Sequence, residues 1–210
     1  MDGLLIDSEP LWQEAEIFVF KQVNINLTHQ MCLQTKGLRI DEVVNYWYQK
    51  YPWNKVGKKE IEELIVERVI ELIELKGEPL PGVNSAISFV RKKQVKVALA
   101  SSSATIIIRA ALQKLNLTND FSEIYSAESE LLGKPHPGVY LTTANKLGIL
   151  PQECLALEDS FNGVLAAKAA QMKCIAIPEV TQQNNPKFAI ADITLESLLE
   201  FNDEIWHNLC

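Results

Sequence analysis

Residues 154–178 read CLALEDSFNGVLAAKAAQMKCIAIP, and the class of the fold can be inferred from them. The two ends of this stretch, 154–158 and 174–178, are short apolar runs, and the composition between them is typical of a helix. Neither run alternates polar with apolar residues, which is typical of strands buried on both faces of a parallel sheet. A strand, a helix and a second strand in this order form a right-handed β-α-β unit.

The same alternation extends upstream to residue 81. Two more strands are predicted, at 95–100 and 121–127. The helices predicted around these strands cover 82–93, 104–115, 137–148 and 161–170. We therefore predict an α/β fold in which helices cover a doubly wound, Rossmann-like parallel sheet.

The segment 10–78 differs from the rest of the chain because it contains no convincing strand. Three helices are predicted there, at 10–23, 40–51 and 58–75. This helical segment separates the first residues from the alternating region, and we therefore predict two domains. An α/β core domain comprises 1–9 and 79–210, and an all-helical domain comprising 10–78 is inserted into it.

The composition argues against several classes of function. The 210 residues carry a net charge of −7, whereas a surface that binds nucleic acid needs clustered Lys and Arg. No apolar run approaches the roughly 20 residues that span a bilayer, and no signal segment is recognised. The cysteines have no tight spacing, and the histidines have no partner at zinc spacing. We expect a cytoplasmic monomer that binds neither nucleic acid nor a membrane.

Polar residues collect directly after the predicted strands, where ligands bind in doubly wound sheets. Ser101 and Ser102 directly follow the strand predicted at 95–100. Lys134 lies between the strand predicted at 121–127 and the helix predicted at 137–148. Glu158 and Asp159 come at the end of a third strand. Because the carboxyl ends of parallel strands meet at one edge of a sheet, we expect these side chains to lie close together.

These clusters have a shared chemistry. Hydroxyls and free amides at the start of a helix bind phosphate, and a lysine steadies phosphoryl oxygens. Paired acids hold Mg²⁺, and a further carboxylate, Asp2, can exchange a proton with a leaving group if it follows a strand as well. Taken singly, each cluster also fits a structural role as a helix cap, an exposed turn or the charged start of a helix. Their occurrence together favours a site.

The clusters resemble, in order, the motifs of the haloacid dehalogenase superfamily of phosphotransferases. The matching segments are MDG at 1–3, VALAS at 97–101, KPHP at 134–137 and LEDSFNG at 157–163. They correspond to the end of the D-x-D-G motif and to the hydroxyl, lysine and acidic motifs. Longer pieces, among them DGLLIDSEPLW and KGLRIDEVV, most resemble the β-phosphoglucomutase-like subgroup of sugar-phosphate phosphatases that act on 2-deoxyglucose 6-phosphate and hexitol phosphates.

The resemblance implies a helical cap on an α/β core and a Mg²⁺-dependent, two-step hydrolysis of a small sugar phosphate through an aspartyl-phosphate. By motif matching, Asp2 is the general acid and base, and its backbone carbonyl binds the metal. Ser101 and Lys134 hold the phosphoryl group. Asp159 is a metal ligand, and Glu158 supports a water bound to the metal.

Five residues are expected to contact the substrate. Ser102 belongs to the hydroxyl motif, Asn162 follows the acidic motif, and the resemblance places Glu9 near the sugar. In the helical segment, Gly37 permits close approach and Arg39 can bind hydroxyls or phosphate with two donors. The alternative for Arg39 is an exposed turn at the start of the helix predicted at 40–51.

The sequence departs from the family pattern at the nucleophile. In that pattern the nucleophile is an aspartate two residues before Asp2, which falls directly before Met1. Either an apolar strand ending in that aspartate precedes Met1, which we favour, or the chain is catalytically inactive. A phosphatase of small sugar phosphates is the preferred function. A β-phosphoglucomutase-like phosphotransferase and a non-catalytic phosphate-binding protein stay open as alternatives.

Overall fold

A computed structural model describes residues 1–209 of the chain. The part from residue 9 to residue 76 is helical and shares one apolar core. The helices of this part are α1 (Glu9–Gln22), α2 (His29–Cys32), α3 (Ile40–Lys50) and α4 (Lys58–Lys76). The three longer helices correspond to the three predicted from the sequence, and no boundary differs by more than one residue.

The helix α4 illustrates how this core forms. Ile61, Ile65 and Val69 recur every four residues, so they share one face of the helix, and all three are fully buried. Burying one such side chain contributes about 1.5–3 kcal/mol. The buried face packs against α1 and α3 and against a helix of the α/β part. The helical part is thereby fastened to the rest of the chain.

The second part alternates strands with helices. Its strands are β1 (Ala98–Ser101), β2 (Glu123–Ser126), β3 (Leu155–Glu158), β4 (Lys173–Ala176) and β5 (Ile193–Thr194). Its helices are α5 (Val83–Lys93), α6 (Thr105–Lys114), α7 (Gly138–Leu147), α8 (Phe161–Ala169) and α9 (Asp203–Leu209). The pairs β1–β2, β3–β4 and β4–β5 are all parallel, which confirms the predicted fold class. The strand β5 and the helix α9 were not predicted.

The strands form two sheets, one of β1 and β2 and one of β3, β4 and β5. An apolar cavity of about 740 Å³ lies between β1 and β3, and Leu99 and Leu157 face it from the two sheets. Met1 and Leu5 also line it. The cavity separates two free sheet edges, the side of β1 that does not pair with β2 and the side of β3 that does not pair with β4. Backbone groups along such edges have no partner in the sheet.

Three cysteines lie within the described residues, and all three are free thiols. Cys174 lies inside β4 as predicted, whereas Cys154 directly precedes β3. Cys32 is buried at the end of α2. No helix within residues 1–209 combines the length and the apolar character that crossing a membrane requires.

Candidate active site

The predicted polar residues meet in one cavity of about 590 Å³ at the carboxyl ends of β1 and β3. The Nζ atom of Lys134 lies 3.4 Å from the carbonyl oxygen of Ala100 and 2.5 Å from Oε1 of Glu158. The two strands therefore end at the same edge, although they do not pair. Residues that line this cavity include Asp2, Ser101, Ser102, Lys134, Glu158 and Asp159.

The carboxylate of Asp2 is held by three donors. Ser8 Oγ donates to Oδ1 over 2.6 Å, and Ser103 Oγ donates to Oδ2 over 2.6 Å. The indole Nε1 of Trp12 donates to Oδ1 over 3.3 Å. Charge-assisted bonds of this kind fix the direction of a carboxylate, so Asp2 presents its oxygens to the cavity in one orientation.

Gly3 allows the acidic end of β3 to approach the chain beside Asp2. Its φ is +65°, and a Cβ at this position would lie 2.2 Å from Oδ2 of Asp159. Any other residue would therefore displace Asp159. The glycine of the D-x-D-G-like segment is explained by this close approach, which the sequence alone does not reveal.

The turn after β1 is organised by serines. Ser101 is buried, and its Oγ accepts a hydrogen bond of 3.1 Å from the amide of Ser103. Ser126 at the end of β2 donates to the carbonyl oxygen of Ser103 over 2.6 Å. The helix α6 begins after Ala104 without a side-chain cap. The serines are therefore not caps of α6, which was the structural alternative for this cluster.

Lys134, Tyr140 and Glu158 form a buried polar group. Lys134 and Tyr140 both donate to Oε1 of Glu158, and the side chains of Lys134 and Glu158 are 9% and 6% exposed. Burial by itself raises the pKa of Glu158, but the charge of Lys134 and the two hydrogen bonds outweigh it and hold this pKa below its usual range. Burial, followed by the charge of Glu158, raises the pKa of Tyr140 well above its usual value.

The environment of Asp159 differs from that of its neighbour. Its pKa is raised to about 7, mainly by burial and secondly by the charge of Glu158. The α-ammonium of Met1, Lys134 and Lys36 only partly offset these effects. An acid that is buried beside a second acid in this way is stabilised by a bound cation.

The donor set of the site fits Mg²⁺. This ion prefers oxygen ligands, needs one or two carboxylates and keeps several waters. Asp159 supplies a carboxylate, and the backbone carbonyl of Asp2 accepts no backbone hydrogen bond within residues 1–209. Within residues 1–209, no three Asp, Glu, His or Cys side chains are grouped so that they alone could hold a metal ion. Glu158 is turned to Lys134 and Tyr140, and its role on a metal-bound water stays a prediction.

Three of the five predicted substrate residues line the cavity. They are Ser102 after β1, Glu9 on α1 and Gly37 in the segment before α3. Burial raises the pKa of Glu9, and the hydrogen bond from Gln13 Nε2, 2.8 Å long, together with the charge of Lys36 partly offsets this. Gly37 has a φ of +79° and open space where a side chain would lie.

Arg39 and Asn162 are not brought into the cavity. The guanidinium of Arg39 pairs with Asp41 and donates to the carbonyl oxygens of Ala127, over 3.4 Å, and Glu130, over 2.9 Å. Its donors are therefore committed to the α/β part. Asn162 lies in the first turn of α8, whose cap is Ser160, and it does not line the cavity.

Several residues that line the cavity or contact its lining were missed by the sequence reasoning. Trp12 and Glu16 follow Glu9 on α1 at intervals of three and four, so a search for polar residues on one helix face could have found them. Lys36 directly precedes Gly37 and pairs with Glu179. Tyr140 has no local signal, since its contact with Glu158 arises only when α7 packs.

The comparison with known proteins indicates the same family as the motifs that form the site. Residues 1–177 match the family described as haloacid dehalogenase-like hydrolase. Hexitol phosphatase B of Escherichia coli (strain K12) is 44% identical over 201 residues, which cover 95% of this chain and 90% of that protein. A phosphorylated carbohydrates phosphatase of Thermotoga maritima is 31% identical over 189 residues, 83% of this chain and 81% of that protein.

A solved structure shows the same fold. The crystal structure of a β-phosphoglucomutase from Clostridium difficile gives a TM-score of 0.84 at 23% identity, over 99% of this chain and 92% of that one. At this identity the likeness concerns the fold alone. The family match extends over most of the sequence and confirms the resemblance inferred from the motifs. The chain is a phosphoric monoester hydrolase, and it belongs to the haloacid dehalogenase-like hydrolase family.

Proposed function

We propose that the chain hydrolyses a small sugar phosphate, such as a hexose, deoxyhexose or hexitol phosphate, with Mg²⁺ as cofactor. The observation that carries the proposal is that Asp2, Ser101, Lys134 and Asp159 line one cavity of about 590 Å³. A buried lysine and serine donors suit a phosphoryl group, and the acids beside them suit a divalent cation. The similarity to a hexitol phosphatase supports the choice of substrate class.

The residues of this chain have separate roles in the proposed reaction. Lys134 and Ser101 bind phosphoryl oxygens and hold the group beside Asp2. Asp159 and the backbone carbonyl of Asp2 would hold Mg²⁺, which neutralises charge on the phosphoryl group when it is bound. Glu158 keeps Lys134 in place through their buried ion pair.

The proposed nucleophile is an aspartate at the position directly before Met1. Its carboxylate forms a bond to phosphorus, the bond from phosphorus to the sugar oxygen breaks, and Asp2 gives that oxygen a proton. Water then gives a proton to Asp2 and attacks phosphorus, the bond from phosphorus to the aspartate oxygen breaks, and phosphate leaves while the aspartate carboxylate is regenerated. Met1 supports this placement because it lines both the polar cavity and the apolar cavity between β1 and β3.

A phosphate-release assay tests the proposal. We compare the chain with a version that carries an apolar segment ending in Asp directly before Met1, using hexitol and hexose phosphates with and without Mg²⁺. Release by the extended version, dependent on Mg²⁺, is expected. Conversion of β-glucose 1-phosphate to glucose 6-phosphate would favour the mutase alternative, and phosphate binding without release by the extended version would favour the non-catalytic one.

A further inference from the structure

The polar cavity is also lined by a group of residues outside the four motifs, most of them on α1, which we call its distal end. Glu9, Trp12 and Glu16 share one face of this helix and line the cavity. Lys36 lines it from the segment before α3, and Glu179 lines it from the segment after β4. Trp12 contacts Asp2, and the other members of the distal end have no role in the phosphate chemistry proposed above.

Glu16 is the unusual member of this group. The residue is only 6% exposed, and Oε2 has no hydrogen-bond partner within residues 1–209. The thiol of Cys32 is its hydrogen-bonding neighbour, and thiols are weak donors. Buried polar atoms in folded proteins are nearly always paired, so an unpaired carboxyl oxygen beside a cavity points to a partner that the ligand supplies.

The charged side chains that line the distal end indicate which chemical class of ligand can bind there. Lys36 forms an ion pair with Glu179 and lies 4.0 Å from Glu9, so its charge is already opposed by two acids. No further Lys or Arg lines this end within residues 1–209. A second phosphate group would meet carboxyl groups here without an unpaired cation, whereas hydroxyl groups could both donate to and accept from them.

We propose that Glu16 is a specificity-determining residue that hydrogen-bonds a hydroxyl group of the sugar or polyol chain, and that the distal end excludes substrates with a second phosphate. The inference rests on the proposed function, because it assumes that the phosphoryl group lies at Ser101 and Lys134. The inference also argues against the mutase alternative. A sugar bisphosphate would need a second phosphate site, and the distal end does not provide one.

The protonation of Glu16 agrees with this role. Its pKa is raised to about 8, mainly by burial and to a lesser extent by the charge of Glu9, against the hydrogen bond from Cys32. At neutral pH the carboxyl group is therefore mostly uncharged, so it can donate one hydrogen bond and accept others. A neutral carboxyl group matches a hydroxyl group, which also has both capacities.

Calorimetric titration in the presence of Mg²⁺ tests the inference without requiring turnover. The probes are sorbitol 6-phosphate and inorganic phosphate, and the variants are Glu16→Leu and Glu16→Gln. Glu16→Leu is expected to weaken the binding of sorbitol 6-phosphate by about tenfold, because a substrate hydroxyl loses its partner. Inorganic phosphate should bind with unchanged affinity, and Glu16→Gln, which keeps the hydrogen-bonding capacity, should stay within about threefold of the parent.

Glu14→Gln is the matched control on the same helix. Glu14 pairs with Arg68 and Lys76 outside the cavity, so this variant should bind both probes as the parent does. Circular dichroism shows whether each variant is folded, and Glu16→Ala replaces Glu16→Leu if the leucine variant does not fold. In that case a loss by Glu16→Ala confined to sorbitol 6-phosphate supports contact with a hydroxyl group, and unchanged binding overturns it.

The remaining outcomes are separable. Equal affinity of the parent and Glu16→Leu for sorbitol 6-phosphate overturns the inference and leaves the proposed function standing. Binding of glucose 1,6-bisphosphate more tightly than glucose 6-phosphate overturns the exclusion of a second phosphate. Binding of inorganic phosphate but not of any sugar phosphate overturns the proposed function and the inference together.

Discussion

At the scale of single residues, the site depends on how each acid is neutralised. Glu158 is neutralised by Lys134, and Asp2 is held by three donors, whereas Asp159 is half-buried and forms no ion pair within residues 1–209. The three acids therefore have different environments within one cavity. Differences of this kind let neighbouring carboxyl groups take different roles at one pH.

Asp159→Asn should weaken Mg²⁺ binding at least about tenfold, because the variant loses a charged oxygen ligand. Calorimetric titration with MgCl₂ measures the change. Asp203→Asn is the control, since Asp203 is an exposed partner of Lys93 far along the chain from the site. Equal affinities of Asp159→Asn and the control would remove Asp159 from the metal site.

Glu16 should make the protein less stable as the pH rises from about 4.5 to about 8. Its pKa is raised to about 8 in the folded protein, so the folded state holds the proton more tightly than the unfolded state. This contribution is complete below the unfolded pKa and is lost as the pH rises through the folded one. The slope is at most about 1.4 kcal/mol per pH unit.

Urea denaturation of the parent and of Glu16→Gln between pH 5 and pH 8 measures this contribution. The free energy of unfolding of Glu16→Gln should fall less over this range, whereas Glu14→Gln should follow the parent. Parallel curves for the parent and Glu16→Gln would show that the carboxyl group is already ionised in the folded protein.

At the scale of elements, Arg39 connects the start of α3 to the segment after β2. Its guanidinium binds the carbonyl oxygens of Ala127 and Glu130, so it holds the helical part on the α/β part. The sequence reasoning assigned this arginine to the substrate, because Gly37 permits close approach and a guanidinium can bind hydroxyls or phosphate with two donors. The direction of the side chain depends on tertiary contacts that no local pattern contains.

Arg39→Ala should lower the free energy of unfolding by about 1–3 kcal/mol, since buried carbonyl groups lose their donors. The affinity for inorganic phosphate should change less than threefold. Chemical denaturation and calorimetry measure the two quantities. Lys59→Ala, at the exposed start of α4, should change neither of them. A large loss of phosphate affinity in Arg39→Ala would restore the predicted role in substrate binding.

Most helices and four strands were predictable because their burial follows from local patterns. The apolar runs that became β3 and β4 and the four-residue repeat of α4 are examples. The two-residue strand β5 is too short to leave a pattern. Four site residues could be predicted because each lies after a predicted strand or within a recognised motif: Asp2, Ser101, Lys134 and Asp159. The positions of Tyr140 and Glu16 could not, because Tyr140 reaches Glu158 only when α7 packs and Glu16 reaches the cavity only through the phase of α1.

At the scale of the whole molecule, the two sheets and the cavity between them are the main feature. The apolar cavity of about 740 Å³ separates the free edges of β1 and β3 and reaches Met1. An extended apolar segment joined to Met1 could pair with both edges and fill this space. The same segment would place its last residue at the polar site.

An apolar extension of about six residues before Met1 should raise the melting temperature by about 5 °C or more, because it buries apolar surface and pairs free backbone groups. Differential scanning calorimetry measures the shift. A Gly/Ser extension of the same length is the control and should leave the melting temperature unchanged. Equal effects of the two extensions would show that the cavity does not accept a strand.

The most direct measurement is phosphate release from sorbitol 6-phosphate by the chain whose apolar extension ends in Asp before Met1. We expect release that requires Mg²⁺ and that falls at least about a hundredfold when Asp159→Asn is added. Release no faster than in the Asp159→Asn variant would contradict the placement of a hydrolytic site at Asp2, Ser101, Lys134 and Asp159.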